Sequence, residues 1–212
     1  YDFGTEKLAV INLMGHYGMP YVDNVFRCAE TTVKILHNQG IKNIFIDFHA
    51  EATSEKRGLL MMLQGKVSAI IGTHTHVGTD DLQINQGTAY LTDIGLTGCR
   101  DNVIGIDEKV PLEKFRFGVA GRFEVPEKCK KILQMVIVTI ENGEALESYK
   151  IKIFDDGRII GRLGEFIVKN HLGGEKTKEN ESYDVNHLGE KLEIRCITDK
   201  LSFASSKEIG YG

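Results

Sequence analysis

The chain has 212 residues, 42% hydrophobic and 26% charged, with 26 Lys and Arg against 30 Asp and Glu for a net charge of −4. That length holds one good core, as one domain or at most two small ones, and the composition excludes wholesale disorder. The mild acidic balance removes the electrostatic basis for tight, non-specific nucleic-acid binding, and no basic stripe or aromatic stacking motif points to that class. A nucleotide held at a metal site stays compatible with it.

No apolar run approaches the roughly 18 residues of a transmembrane helix, and no basic-then-apolar opening marks a signal peptide. The start at Tyr1 rather than Met points to a processed, cut or rearranged product. Cys28, Cys99, Cys129 and Cys196 are widely spaced without a CxxC. That spacing predicts reduced thiols in a cytoplasmic protein, not a disulfide framework or a thiolate zinc site.

Residues 8–13 (LAVINL) read as a buried strand. From Val25 to Leu36 the apolar residues recur at helical spacing, with Asp23 or Asn24 placed to cap and Gly40 to close. Residues 43–47 (NIFID) are strand-like, residues 54–63 are rich in helix formers, and residues 67–71 (VSAII) form a third β-rich run ending at Gly72. Strand and helix in alternation predict a parallel sheet covered by helices. Residues 88–92 (TAYLT) add a strand. Beyond Arg122 the pattern changes to strands at 123–125, 132–140 and 147–154, separated by Glu-Asn-Gly and Asp-Asp-Gly turns. Such a mixed sheet suggests an α/β sandwich, not a Rossmann fold. Residues 159–172 read as a helix, 173–182 (GGEKTKENES) as a solvated loop, and 198–209 as a second short helix.

The densest chemical signal is Gly72-Thr73-His74-Thr75-His76, directly after a buried strand. Sites in α/β proteins lie at the carboxyl ends of strands. Residues two apart in an extended segment share a side, so His74 and His76 can face one cavity as neutral metal ligands. The alternative is a pair of loop histidines bonded to backbone. His49, in Asp47-Phe48-His49-Ala50-Glu51, ends the neighbouring strand. Asp47 and Glu51 are then natural acceptors that fix an imidazole tautomer, or else plain strand-end and helix-start carboxylates. In residues 92–98 (TDIGLTG), Asp93 is placed to orient a metal-bound histidine, with a simple glycine turn as the alternative.

Three blocks, DFHAEATSEK at 47–56, GTHTHV at 72–77 and TDIGLTG at 92–98, resemble in order and spacing the signature of the YmdB-like metallophosphoesterases. This calcineurin-type branch includes 2′,3′-cyclic-nucleotide phosphodiesterases, and LAVINLMG fits the strand that precedes the blocks. The resemblance covers roughly residues 7–154. It implies that His49, His74 and His76 bind a two-metal centre of Mn, Fe or Zn. The family's other ligands come from upstream motifs, namely a GDxxG Asp, an NxEN-type Glu and Asn, and an Asn within GNHTW, whose His is the general acid. None of these precedes Tyr1. Residues 156–164 (DGRIIGRLG) resemble the family's glycine-rich opening, 165–172 its first helix, and 197–200 and 207–210 the segments that follow, which gives a permuted order. Arg158 stands where the resemblance would place the metal-binding Asp, and could hold substrate phosphate instead of a metal. A chance glycine-rich helix start is the alternative.

The resulting expectation is an α/β calcineurin-like metallophosphoesterase sandwich of mixed β-sheets flanked by helices. Residues 1–154 form the core, corresponding to the C-terminal part of the family domain, and 155–212 a degraded, permuted tail. Its function is that of a metal-dependent phosphodiesterase acting on 2′,3′-cyclic nucleotides or related phosphoesters through hydroxide activated by two divalent ions. The alternative is a non-catalytic metal-binding fragment or assembly module. The expected partner is a small phosphoester, with no membrane and no direct nucleic-acid binding, and with room for a homo-oligomer in the cytoplasm.

Overall fold

A computed structural model describes residues 1–4, 6–155, 175–176, 185–187, 190–197 and 200–205. In chain order the first elements are β1 (Leu8–Met14), α1 (Val25–Asn38), β2 (Asn43–His49), α2 (Thr53–Leu63), β3 (Ala69–Thr73), β4 (Gln83–Asn85) and β5 (Thr88–Leu91). They are followed by β6 (Gly98–Cys99), α3 (Lys109–Phe117), β7 (Lys131–Glu141) and β8 (Glu144–Asp155). The chain divides into two compact units, Tyr1–Leu96 with Gln134–Lys152, and Thr97–Leu133 with Ile153–Gly212.

In the first unit the alternation of apolar runs and amphipathic helices closes as expected. β1, β2, β3 and β5 run parallel, with β4 antiparallel at the edge, in the order β1-β2-β3-β5-β4. The Asn24 side chain caps α1 by accepting the Arg27 N–H at 3.0 Å. Gly40 takes φ 76° just past the helix, a conformation that a side chain would strain. Ile44, Ile46 and Phe48 alternate out of β2 onto one face, where they meet Val25, Ala29 and Val33 of α1 and Leu59, Leu60 and Leu63 of α2. The other face is built from smaller residues. Ala69 and Ala89 pack there against Ala145, with Phe45 and Val138 alongside. The β7–β8 turn supplies the positive φ of Asn142 (52°) and Gly143 (96°), the primed geometry that matches strand twist. Gly143 accepts from Ser68 Oγ and donates to Asn43 Oδ1, each at 2.8 Å.

The period-2 side-chain rule then fixes the site. With Ile44, Ile46 and Phe48 facing the helices, Asp47 and His49 must leave the opposite face of β2 at its carboxyl end. The parallel register sets His49 beside Thr73 and Asp47 beside Asn12.

The second unit departs from expectation. Residues 123–125 form no strand, and Glu124 instead accepts the Asp107 N–H through its carbonyl at 2.9 Å. Cys99 and Cys129 form a disulfide, against the expectation of reduced thiols. They are 30 residues apart, but antiparallel pairing of Cys99 with Lys131 brings their Cα atoms to 5.5 Å. The helix α3 was not foreseen, and Gly118 ends it at φ 70°. Four short strands, β9 (Glu175–Lys176), β10 (Val185–His187), β11 (Glu190–Ile197) and β12 (Lys200–Ser205), form an antiparallel sheet in the order β12-β11-β10-β9. Over 200–205 β12 stands in place of the helix expected for 198–209, and the loop expected over 173–182 contains β9. Pairing between Leu192 and Ser205, and along that ladder to Ile197 and Lys200, overrode the local helix signal. The expected helix over 159–172 lies outside the described residues.

Phe48 is completely buried between the sheet and the helices. Replacing it by Ala is expected to cost about 3–5 kcal/mol, from lost transfer energy plus a cavity. Urea denaturation checks this, and a loss below about 1 kcal/mol would show that β2 is not central to the core.

Candidate metal centre

A relay of hydrogen bonds begins on β1. Asn12 Nδ2 donates to Asp47 Oδ2 at 2.9 Å, and Asp47 Oδ1 accepts the Thr73 hydroxyl at 3.0 Å. That hydroxyl has a single proton, spent on Asp47. Its oxygen must therefore accept at 3.1 Å from His49 Nδ1, which makes Nδ1 the protonated nitrogen of His49. Burial lowers the His49 pKa below its ordinary value, with the neighbouring His74 adding to the effect and Asp47 opposing it. His49 is accordingly neutral near pH 7, and its Nε2 carries a bare lone pair.

His74 is held in the same way from the other side. Its Nε2 lies 2.9 Å from Glu51 Oε2, and an ionised carboxylate only accepts, so that nitrogen bears the proton. When that ring is neutral its lone pair is on Nδ1, and when it is protonated Nδ1 donates to His49 Nε2. His74 Nδ1 and His49 Nε2 are 3.0 Å apart, with the rings edge to face. Two lone pairs pointed at one another call for a cation between them, either a proton or a metal ion. Two imidazoles bound at about 2.0–2.1 Å to one ion place their nitrogens roughly 3.0–3.4 Å apart. The spacing thus fits an edge of one ion's ligand shell.

His76 is arranged differently from the sequence argument. β3 ends at Thr73, and His74 and His76 take φ 110° and 61°. Neither belongs to an extended strand, so alternation does not set their sides. His76 is exposed. Among the described residues no group of three or more His, Cys, Asp or Glu converges as a metal shell. They fit the corner of one ion and do not fit a complete two-metal centre. Arg158 lies outside the described residues.

Asp93 is fully buried and reaches backbone and Lys56 rather than an imidazole. Its Oδ2 accepts from the Thr75 N–H at 3.0 Å and from Lys56 Nζ at 2.9 Å, and its Oδ1 accepts the Gly95 N–H at 2.9 Å. Gly72 is needed near the end of β3, because a Cβ there would sit 1.7 Å from the carbonyl oxygen of Thr92, just past β5. Next to it, Asp81 collects the Thr79 and Thr92 hydroxyls at 2.7 and 2.5 Å and the Thr92 N–H at 3.2 Å. Burial raises the Asp81 pKa, but these bonds outweigh it and hold the carboxyl below its ordinary value. Thr79 carries the restraint onward, exchanging backbone and hydroxyl bonds with Asp93.

Sequence reasoning missed Asn12, Thr73, Lys56 and Asp81. Lys56 had a readable signal. It shares the inward face of α2 with Leu59, Leu60 and Leu63, and a cation on a buried face requires a buried anion.

The model of the YmdB-like protein family matches residues 1–151. The chain belongs to the YmdB-like family. It is 41% identical over 154 residues to a 2′,3′-cyclic-nucleotide 2′-phosphodiesterase of Bacillus subtilis, covering 71% of this chain and 58% of that protein. A crystal structure of a hypothetical protein from Thermus thermophilus matches with TM-score 0.67 at 31% identity, over 73% of this chain and 60% of that one. A phosphatase structure from Mycoplasma pneumoniae matches with TM-score 0.63 at 32% identity, over 71% and 56%. The chain thus spans less than two thirds of the length of these relatives. The neighbours share its mixed α/β architecture, and the family implies use of a divalent metal.

Acidification tests the Asp81 network. With its folded pKa below the unfolded value, Asp81 contributes stability that is complete above about 3.8 and lost as pH falls through the folded value. Asp81→Asn is expected to cost roughly 1–3 kcal/mol at pH 7 and to flatten the acid limb of the stability profile. An unchanged acid limb in thermal melts would remove Asp81 from this role.

Proposed function

We propose that this chain contributes the histidine face of a metal-dependent phosphodiesterase acting on 2′,3′-cyclic nucleotides or related phosphoesters. The observation that carries the proposal is the approach of His49 Nε2 and His74 Nδ1 to 3.0 Å, with the outer nitrogen of each ring held by Thr73 Oγ1 and Glu51 Oε2. Family membership and the likeness to a cyclic-nucleotide phosphodiesterase support the substrate class. A divalent ion supplies, when bound, Lewis-acid neutralisation of the charge that grows on a phosphoryl centre under attack by water.

The chain's own residues have defined tasks around that centre. His49 is held as a neutral donor, and His74 presents Nδ1 beside it, where a metal ion takes the place of a shared proton. Glu51 fixes the His74 ring, and the Asn12–Asp47–Thr73 relay orients that of His49. The exposed edge of the site, with His74 partly open and His76 exposed, faces the solvent from which an anionic substrate arrives. We assign His76 to the substrate side of the centre, as a further ligand.

Manganese-loaded full chain is expected to hydrolyse 2′,3′-cAMP or bis(p-nitrophenyl) phosphate. His74→Ala should lower metal affinity by more than the roughly 10–100-fold that losing a ligand's supporting partner costs, with turnover falling at least in parallel, and His76→Ala should remove turnover. Bound metal is measured by atomic emission and products by chromatography. Wild-type rates in the His49→Ala/His74→Ala variant would defeat the proposal, and metal binding without any hydrolysis would leave a metal-binding module.

A further inference from the structure

We propose that the buried Lys56–Asp93 ion pair is a positioning device that sets the His74–Thr75 peptide, and through it the direction of the His74 lone pair. The proposal rests on reading His49 and His74 as metal donors. Its starting point is that Lys56 and Asp93 are 1% and 0% exposed, with Nζ and Oδ2 2.9 Å apart. Such a pair is seldom a source of stability, since desolvating both charges offsets most of their attraction. What the pair provides is direction.

The same Oδ2 that receives Lys56 also accepts the Thr75 N–H at 3.0 Å. That N–H belongs to the peptide plane immediately following His74. His74 itself has φ 110°, a conformation that a residue with a Cβ keeps only where its surroundings hold it there. Relaxing it would rotate the ring away from both Glu51 Oε2 at 2.9 Å and His49 Nε2 at 3.0 Å. The carboxylate is immobile in turn. Oδ1 takes the Gly95 N–H at 2.9 Å, while the Asp93 backbone N–H and carbonyl are both bonded to Thr79. Lys56 comes from α2, packed in the core, so the pair transmits the fixed position of the helix to a loop that lies outside any strand. Lys56 also fills the channel beside Gly72, where its Cδ would be 3.1 Å from an added Cβ. Without its charge, Asp93 is left as a buried unpaired anion and must protonate or move. Either response alters its bond to Thr75.

The test uses the full chain with Lys56→Met, Asp93→Asn and the charge-neutral Lys56→Met/Asp93→Asn variant, which keeps the question answerable if a single variant does not fold. Leu63→Ala on the same helix serves as a destabilised control, because Leu63 belongs to the core and touches none of the site's bonds. Two readouts are taken well below each melting temperature: hydrogen exchange of the Thr75 amide in metal-free protein, and the dissociation constant and visible spectrum with Co²⁺ alone. The expected result is Thr75 exchange at least about 10-fold faster in each pair variant, a Co²⁺ dissociation constant raised about 10–100-fold, and an altered cobalt spectrum. Leu63→Ala should keep wild-type values of both. Wild-type Thr75 exchange in the pair variants would overturn the positioning role, as would an equal loss of cobalt affinity in Leu63→Ala. Absence of Co²⁺ binding by the wild type would instead refute the metal reading, and Thr75 exchange would then judge the clamp alone.

Discussion

His49 Nε2 and His74 Nδ1 can rest 3.0 Å apart only with something positive between them, a proton or a metal ion, and with their outer nitrogens committed elsewhere. The rest of the first unit can be understood as meeting that condition. Thr73 and Asp47 hold the proton on His49 Nδ1, and Glu51 holds it on His74 Nε2. Parallel strands make the arrangement feasible, because their carboxyl ends lie side by side and β2 and β3 bring His49 level with Thr73. The core residues on the other face of β2 then decide which way Asp47 and His49 point. A one-residue slip in that strand would turn both side chains into the helix layer.

Holding the site has a conformational cost. His74 and His76 adopt positive φ, and a carboxylate and an ammonium are taken out of water. These features persist because they are surrounded by bonds. Asp93 engages Lys56, Thr75, Gly95 and Thr79, and Asp81 engages Thr79 and Thr92. Lys150 adds a bond from Nζ to the Thr79 carbonyl, and Gln134 Oε1 accepts the Leu96 N–H at 2.9 Å. Strain concentrated on a loop at strand ends persists only where a connected polar network holds it, as these bonds do.

Much of this unit was legible in the sequence because its signals are local. The 3.6-residue spacing from Val25 onward, the Asn24 cap and the apolar runs at β1, β2 and β3 each specify one element without reference to the others. The parallel sheet follows from their alternation. The three histidines were visible as motifs, but the side to which His74 and His76 point was not. That inference needed an extended backbone, and β3 stops one residue before His74. The hydrogen-bond relay was invisible for a related reason. Asn12, Asp47 and Thr73 come from three strands, and only their register unites them. Cys99 and Cys129 failed on the same ground, since spacing along the chain says nothing about a pairing that antiparallel strands create. In β12, long-range pairing prevailed over a helix-like composition.

Whether His49 and His74 share a metal ion decides the role of these strand ends. Zinc K-edge X-ray absorption on the zinc-loaded full chain, compared with the His49→Ala/His74→Ala variant, counts imidazole nitrogens around the ion. The account predicts at least two imidazoles at about 2.0–2.1 Å in the wild type and a loss of two in the variant. A shell of oxygen atoms alone, or an imidazole count unchanged by the substitutions, would contradict it.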